Sequence, residues 1–395
     1  MNTAGRYLPL SLRLLVVGKP LPVDVWSPHG VLLLARGQTI PSHVQLRKLA
    51  AMQPMVRQHD LSRLQGNHWL RAGTMPSGHA TYTGYMVDRL WLDPLQALPE
   101  LYDRIAALMD QPHGLGMAFQ HAVEELYRHV VVAVTGHEEQ SLFWLVHHLQ
   151  KGELRYSTLN ALACATFCHM GALAEDAPMD TRRSLCAAAL TMNLGMTRLQ
   201  DRLARQTTPV TADQHAAIDD HAIQSVDMLR ALGVQDTTWL RVVQCHHQHD
   251  HGELTRQLGA EWAPWCILLQ LVDRTVARVS PRAYRHGQHP SLAMREIFRS
   301  AQDHEQPIAQ RMVKVFGLYP PGCYVRLRNQ ETAVVIRRGK SINKPLVASV
   351  LNHRGDPLAS PQVRDTAAPE YTIDTPMASV DVRVDIDPQR LLQRV

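Results

Sequence analysis

The sequence predicts a mainly α-helical protein with a small β-rich unit at its N-terminal end and a β appendage at its C-terminal end. Three features of the text carry this reading. Short alternating runs separated by turn residues fill roughly the first 60 positions. From there to about residue 318, apolar residues recur at three- and four-residue spacing, the period of an amphipathic helix. After Tyr319-Pro320-Pro321-Gly322 the period drops to two.

Taken in order, Leu21 to Val25 and Val31 to Ala35 read as the arms of a hairpin around Ser27-Pro28-His29-Gly30. A second turn is expected at Arg36-Gly37-Gln38 and a short helix from Pro41 to Leu49. This unit ends near residue 60. Residues 61–150 form a helical connecting region, with Leu98 to Met109 and Phe119 to Val134 broken by Pro112-His113-Gly114. Glu124 and Glu125 within it read as solvated carboxylates. Residues 151–318 hold a dense series of helices, including Leu159 to Phe167, Ser184 to Leu194, His221 to Leu232, Trp239 to Cys245 and Ile267 to Val279. Thr211 or Asp213 is expected to cap one of them. So many apolar stripes are buried only by helix-on-helix packing. Residues 319–395 form the appendage, with strands at Tyr324 to Arg328, Ala333 to Ile336 and Leu346 to Leu351; the last thirty or so residues are expected to drape over the surface.

Composition narrows the function. The chain has 395 residues, enough for two or three domains, with 45% apolar and 19% charged residues and a formal charge of +5. That charge is mild and its arginines are scattered, which argues against a nucleic-acid partner. No uncharged apolar run approaches the roughly 18 residues of a membrane span. Leu8 to Val17 is interrupted by Arg13 and precedes no small-residue cleavage site, so it is not read as a signal peptide. The six cysteines form no disulfide framework, and a cytoplasmic location is expected. Cys164 and Cys168 stand one helical turn apart in apolar text. No charged or histidine partner is evident on their face, so they and Cys186 read as buried free thiols, and Cys245, Cys266 and Cys323 as isolated ones.

The strongest local signal is Cys245-His246-His247-Gln248-His249-Asp250-His251. Neutral imidazoles bind divalent metals, although an exposed polar helix end produces the same run. His221 lies 25 positions before His246, and Asp273 lies 27 positions after it inside an apolar stretch. A carboxylate there needs a cation or donors; Arg274 or Arg278 would supply a salt bridge, and a metal is the other solution. His221 also reads as an ordinary residue near a helix N-terminus.

These residues, with Ala187-Ala188-Ala189-Leu190, the stretch Thr211 to His221, Ser280-Pro281-Arg282-Ala283-Tyr284-Arg285 and Gly317-Leu318-Tyr319-Pro320-Pro321-Gly322, resemble the HD-GYP group of the HD-domain phosphohydrolases. The resemblance spans about residues 150 to 358, and the hairpin from Asp24 to Ile40 is similar to the small N-terminal domain of many such proteins. It implies an HD-type helical bundle of five core helices, binding two or three iron or manganese ions and hydrolysing cyclic di-GMP.

The departures decide the functional expectation. The adjacent His-Asp of that group falls on Met192-Asn193, so the carboxylate that bridges two metals is a neutral amide here. Its upstream histidine falls near Asn160, its Gly-Tyr-Pro loop is absent, and the carboxylate expected after the histidine pair is Gln248. His221, His246, His247 and Asp273 remain, enough for one divalent ion (iron or manganese) or for none, but not for a hydrolytic pair. Arg282, Tyr284 and Arg285 match the phosphate-contacting segment, where guanidinium forks suit phosphate oxygens; facing water is the alternative for the arginines. The expectation is a non-catalytic regulator that binds cyclic di-GMP or a related nucleotide, or docks a protein such as a diguanylate cyclase. The alternative is a phosphodiesterase in which His249, Asp250, His251 or Glu253 replaces lost ligands. A helical adaptor without a ligand is a third possibility.

Overall fold

The structure is a computed structural model that describes residues 7–10, 20–21, 23–26, 32–40, 49, 54–57, 94–112, 118–135 and 137–392. The chain divides into two compact units, Met1–Asp88 and Arg89–Val395. The architecture is mainly α with two small antiparallel sheets, the class the periodicity predicts.

In the first unit, β1 (Tyr7–Pro9), β2 (Val25–Trp26), β3 (Leu32–Leu34) and β4 (Met55–Arg57) form a sheet in the order β1-β4-β2-β3. The predicted hairpin is present, with Val25 opposite Leu34. The turn at Arg36-Gly37 is present too: Gly37 takes a left-handed φ of 87° and its N–H donates to the Leu21 carbonyl at 2.8 Å. Leu21, Val23, Val25, Ile40, Leu49 and Val56 bury a small core. The Ser27–Gly30 turn and the helix leading to Leu49 lie outside the described residues.

The second unit opens with α1 (Pro94–Asp110), α2 (Ala118–Val134) and α3 (Glu138–Lys151). Next come α4 (Tyr156–Ala174), α5 (Met179–Thr191), a 3-10 turn at Leu194–Met196 and α6 (Thr197–Arg205). The remaining long helices are α7 (Ala212–Ala231), α8 (Thr237–Cys245), α9 (His251–Leu258), α10 (Ala263–Val279), α11 (Pro290–Ser300) and α12 (Gln306–Phe316). Helix α4 is buried from Ser157 to Ala172, as befits a helix apolar on every side, and is the axis around which the others pack. Helix α7 begins where the capping signal falls: Thr211 and Gln214 exchange side-chain and backbone hydrogen bonds in a capping box.

The C-terminal sheet has β5 (Tyr324–Leu327), β6 (Thr332–Arg337), β7 (Leu346–Leu351), β8 (Pro357–Asp365) and β9 (Ile373–Met377), in the order β8-β7-β6-β5-β9. It packs on α3 through Phe143, Tyr324, Val334 and Ile336. Gly322 permits the approach. Its φ is 93°, and a Cβ there would stand 2.5 Å from the Phe143 carbonyl oxygen. Three of the strands match the sequence reading. The tail expected to drape instead supplies β9, with Tyr324 opposite Met377. Pro357 and Pro361 in β8 and Pro376 in β9 break the alternation that signals a strand, and both are edge strands, where a missing N–H is tolerated. A short α13 (Pro388–Leu392) closes the described chain.

A candidate metal centre

Two helix middles and the ends of two further helices converge on the site. His221 comes from the middle of α7. His246 and His247 follow α8 directly, with His246 as its C-cap residue. Asp273 sits in the middle of α10. Opposite them, Asn160 and Cys164 present one face of α4, and Met192-Asn193 ends α5. Gly195 holds that last turn tight against α7: a Cβ on it would lie 2.9 Å from the His221 carbonyl oxygen. Ser225 of α7 completes the clamp, accepting from the Gly195 N–H and donating to the Met192 carbonyl, each at 2.9 Å.

The ligating atoms of His221, His246 and His247 lie within 4.8 Å of one another. His221 and His246 are buried and His247 is exposed. His246 Nδ1 is 2.6 Å from the Val243 carbonyl oxygen, and His221 Nδ1 contacts that of Ile218. A carbonyl only accepts, so each Nδ1 carries the proton and each Nε2 presents a lone pair. Those two Nε2 atoms face each other at 3.1 Å. Two lone pairs so placed repel unless a proton or a cation lies between them. Protonation is disfavoured: burial lowers the pKa of His221 and takes that of His246 well below its ordinary value, with the neighbouring His247 and His221 lowering His246 further. The arrangement therefore suits a metal ion. A backbone carbonyl behind the distal nitrogen is also what usually fixes a metal-binding histidine.

Asp273 does not belong to this set of three. Its Oδ1 accepts from Asn160 Nδ2 at 3.2 Å and lies 3.8 Å from the Cys164 thiol. Asn160 Oδ1 in turn accepts from Asn193 Nδ2 at 3.3 Å. Neither arginine beside Asp273 pairs with it: Arg274 contacts Glu305, and Arg278 lies 3.6 Å from Glu296. The expectation that no charged group shares the face of Cys164 is thus corrected, since Asp273 reaches it from α10. Met192 is 1% exposed and belongs to the apolar core.

The proposed replacement ligands are engaged elsewhere. Asp250 caps α9 by accepting from the Glu253 N–H at 2.7 Å, and Glu253 contacts Arg256. His251 stacks on His304 with ring centroids 4.5 Å apart. None of them, nor His249, joins the three imidazoles.

Beside Asp273 opens a cleft of about 490 Å³ whose charged lining is Arg274, Arg278, Arg282 and Arg285 against Asp273 and Glu296. Arg282 is half-buried. Its guanidinium donates to Tyr156 and Tyr284 hydroxyls at 3.0 Å each and lies over the Tyr156 ring. Tyr284 is 51% exposed at the cleft. Arg285 Nη2 caps the end of α10 by donating to the Ala277 carbonyl at 2.6 Å. Sequence reading missed Cys164 and Tyr156 as members of this region. For Cys164 a signal existed, because Asn160 and Cys164 are one turn apart and a buried amide in an apolar helix demands a partner.

No family model matches the chain, and no curated protein matches it. Among solved structures it is similar to Bd1817, a HDG"Y"P protein from Bdellovibrio bacteriovorus. The two are 12% identical, the match covers 78% of this chain and 99% of that one, and the TM-score is 0.41.

Proposed function

We propose that this chain is a non-catalytic regulator of the HD-GYP type in bacterial cyclic di-GMP signalling. It senses the nucleotide or docks a partner such as a diguanylate cyclase, and its histidine cluster holds one divalent ion. The observation that carries this reading is the amide chain Asn193–Asn160–Asp273. A pair of catalytic metals needs a carboxylate between them to offset their mutual repulsion. Here neutral amides take that place, and the remaining carboxylate is tied to one of them. The ion, when bound, supplies local positive charge. The Ile218 and Val243 carbonyls accept from Nδ1 of His221 and His246 and so orient each Nε2 as a donor to the ion, and burial keeps protons off them. The adjoining arginine-rich cleft suits a ligand with two phosphodiester charges, with Arg282 and Tyr284 as its reachable donors.

The test is hydrolysis of cyclic di-GMP by the purified protein, handled without oxygen and supplied with iron(II) or manganese. The expected result is no linear or mononucleotide product from wild type or from His246→Ala, together with binding of the intact nucleotide that Arg282→Ala weakens by about tenfold or more. Turnover that vanishes in His246→Ala would instead establish a phosphodiesterase with a rebuilt site.

A further inference from the structure

The donor set of the histidine cluster says more than that an ion fits; it says which kind, and it excludes one residue. We infer that the centre takes a single ion through imidazole nitrogen alone, of the zinc, nickel or copper(II) class, and that Asn160 holds Asp273 out of the coordination sphere. This rests on the reading above that the cluster binds metal.

Two nitrogens bound side by side on one ion at about 2.0–2.1 Å stand roughly 3.0–3.4 Å apart. The Nε2 atoms of His221 and His246 are 3.1 Å apart, already at that spacing. Asp273 is in a different position. Its Oδ1 is engaged by Asn160 Nδ2 at 3.2 Å and by the Cys164 thiol, and Asn160 is itself held in orientation by Asn193 at its other end. Turning the carboxylate onto the ion would break the first link and leave a buried amide donor without a partner, since Asn160 is 2% exposed. The amide pair thus does two things: it occupies the face where a second cation would need negative charge, and it keeps the one nearby carboxylate as an outer neighbour.

The metal preference follows from the donors. Hard ions such as manganese favour carboxylate and water oxygen; imidazole suits zinc, copper, nickel and iron, and iron(II) stands below the other three in the general order of divalent affinities. Three neutral nitrogens also leave the full ion charge uncompensated in the first sphere, which penalises the ions that bond least strongly to nitrogen. His247 is exposed, so ions exchange with solvent on its side of the cluster.

The test uses the full chain, stripped of metal with a chelator and titrated with zinc and with manganese. Stoichiometry is read by native mass spectrometry and affinity by competition with a chromophoric chelator. We expect one zinc per chain and manganese weaker by at least about a hundredfold. Asp273→Asn should change zinc affinity by less than about tenfold, in line with an outer neighbour, whereas His247→Ala, an exposed position whose fold is checked by circular dichroism, should lower it by about a hundredfold or more. Two ions per chain, or an Asp273→Asn loss equal to that of His247→Ala, would overturn the inference. A large Asp273→Asn loss alone leaves the regulator reading standing, whereas two ions per chain would remove its argument against a metal pair and leave the hydrolysis assay to judge it; absence of any zinc binding would remove the ion from both.

Discussion

Asn160 is the residue on which the candidate centre turns. It stands in the buried second turn of α4, accepts from Asn193 and donates to Asp273, so both ends of one amide are used. Its burial means that water does not replace either bond when the side chain is removed. Asn160→Ala should therefore lower the unfolding free energy of the metal-free protein by about 1–3 kcal/mol, the penalty of leaving buried polar groups unpaired. Urea unfolding of the chelator-treated protein measures this. A variant as stable as wild type would mean that Asp273 and Asn193 find other partners, and that the amide chain is incidental. Asn193 illustrates the same logic from the other side. An aspartate there would bring a second carboxylate toward Asp273 through the shared Asn160, a repulsion that only cations offset.

At the scale of elements, the centre is positioned by ties well away from it. Arg155, just before α4, joins Asp110 at the end of α1 at 2.6 Å and Asp201 of α6 at 2.5 Å. Asp201 also receives the Ser157 N–H and hydroxyl at 2.9 Å each, and the Tyr102 hydroxyl accepts the Arg155 N–H at 2.8 Å. Three helices are thereby pinned where α4 begins. Asp201 is only 13% exposed, so Asp201→Ala leaves the Arg155 Nε and the Ser157 N–H and hydroxyl unmatched, with Asp110 as the remaining partner of the guanidinium. A loss of about 2–4 kcal/mol is expected from the urea midpoint at an unchanged denaturant slope; a shift under about 0.5 kcal/mol would show that water replaces the pair. Much at this scale was legible in the sequence. The periodicity locates α1, α2, α4, α5, α7, α8 and α10, the capping signal starts α7, and the spacing of His221 and His246 brings two imidazoles together. What was not legible has physical reasons. β9 hides behind Pro376 at a sheet edge. Asn160 meets Asn193 across 33 residues and Asp273 across 113, and such tertiary pairs leave no period in the text. Cys164 looked partnerless because its neighbour comes from another helix.

Across the Arg89–Val395 unit, buried neutral histidines tie stability to pH. Burial lowers the pKa of His147 to about 3 and of His148, His169 and His289 to about 4. His289 is held at the sheet junction by donating from Nε2 to the Tyr324 carbonyl at 2.8 Å, and His147 lies beside the Tyr324 hydroxyl at 3.4 Å. His169 is different: neither ring nitrogen has a hydrogen-bond partner among the described residues, and its ring meets Tyr127 edge-on at 5.7 Å. In each case the unfolded imidazole, near 6.5, binds a proton that the folded one refuses. The unfolded state therefore holds more protons between about pH 4 and 6.5, so stability is complete above that window and falls as pH drops through it. Each imidazole contributes at most about 1.4 kcal/mol per pH unit. Carboxylates titrate in part of the same range, so the comparison that isolates one histidine is wild type against His169→Leu, each unfolded by urea at about pH 7.5, 6.5 and 5.5. Leucine fills a similar space without unpaired nitrogens, so the variant should match or exceed wild type at the highest pH and lose less stability at the lowest, the gap widening by up to about 1.4 kcal/mol per unit. Parallel curves would mean that His169 reaches solvent or a partner when charged, and that the acid sensitivity of this unit arises at the sheet junction instead.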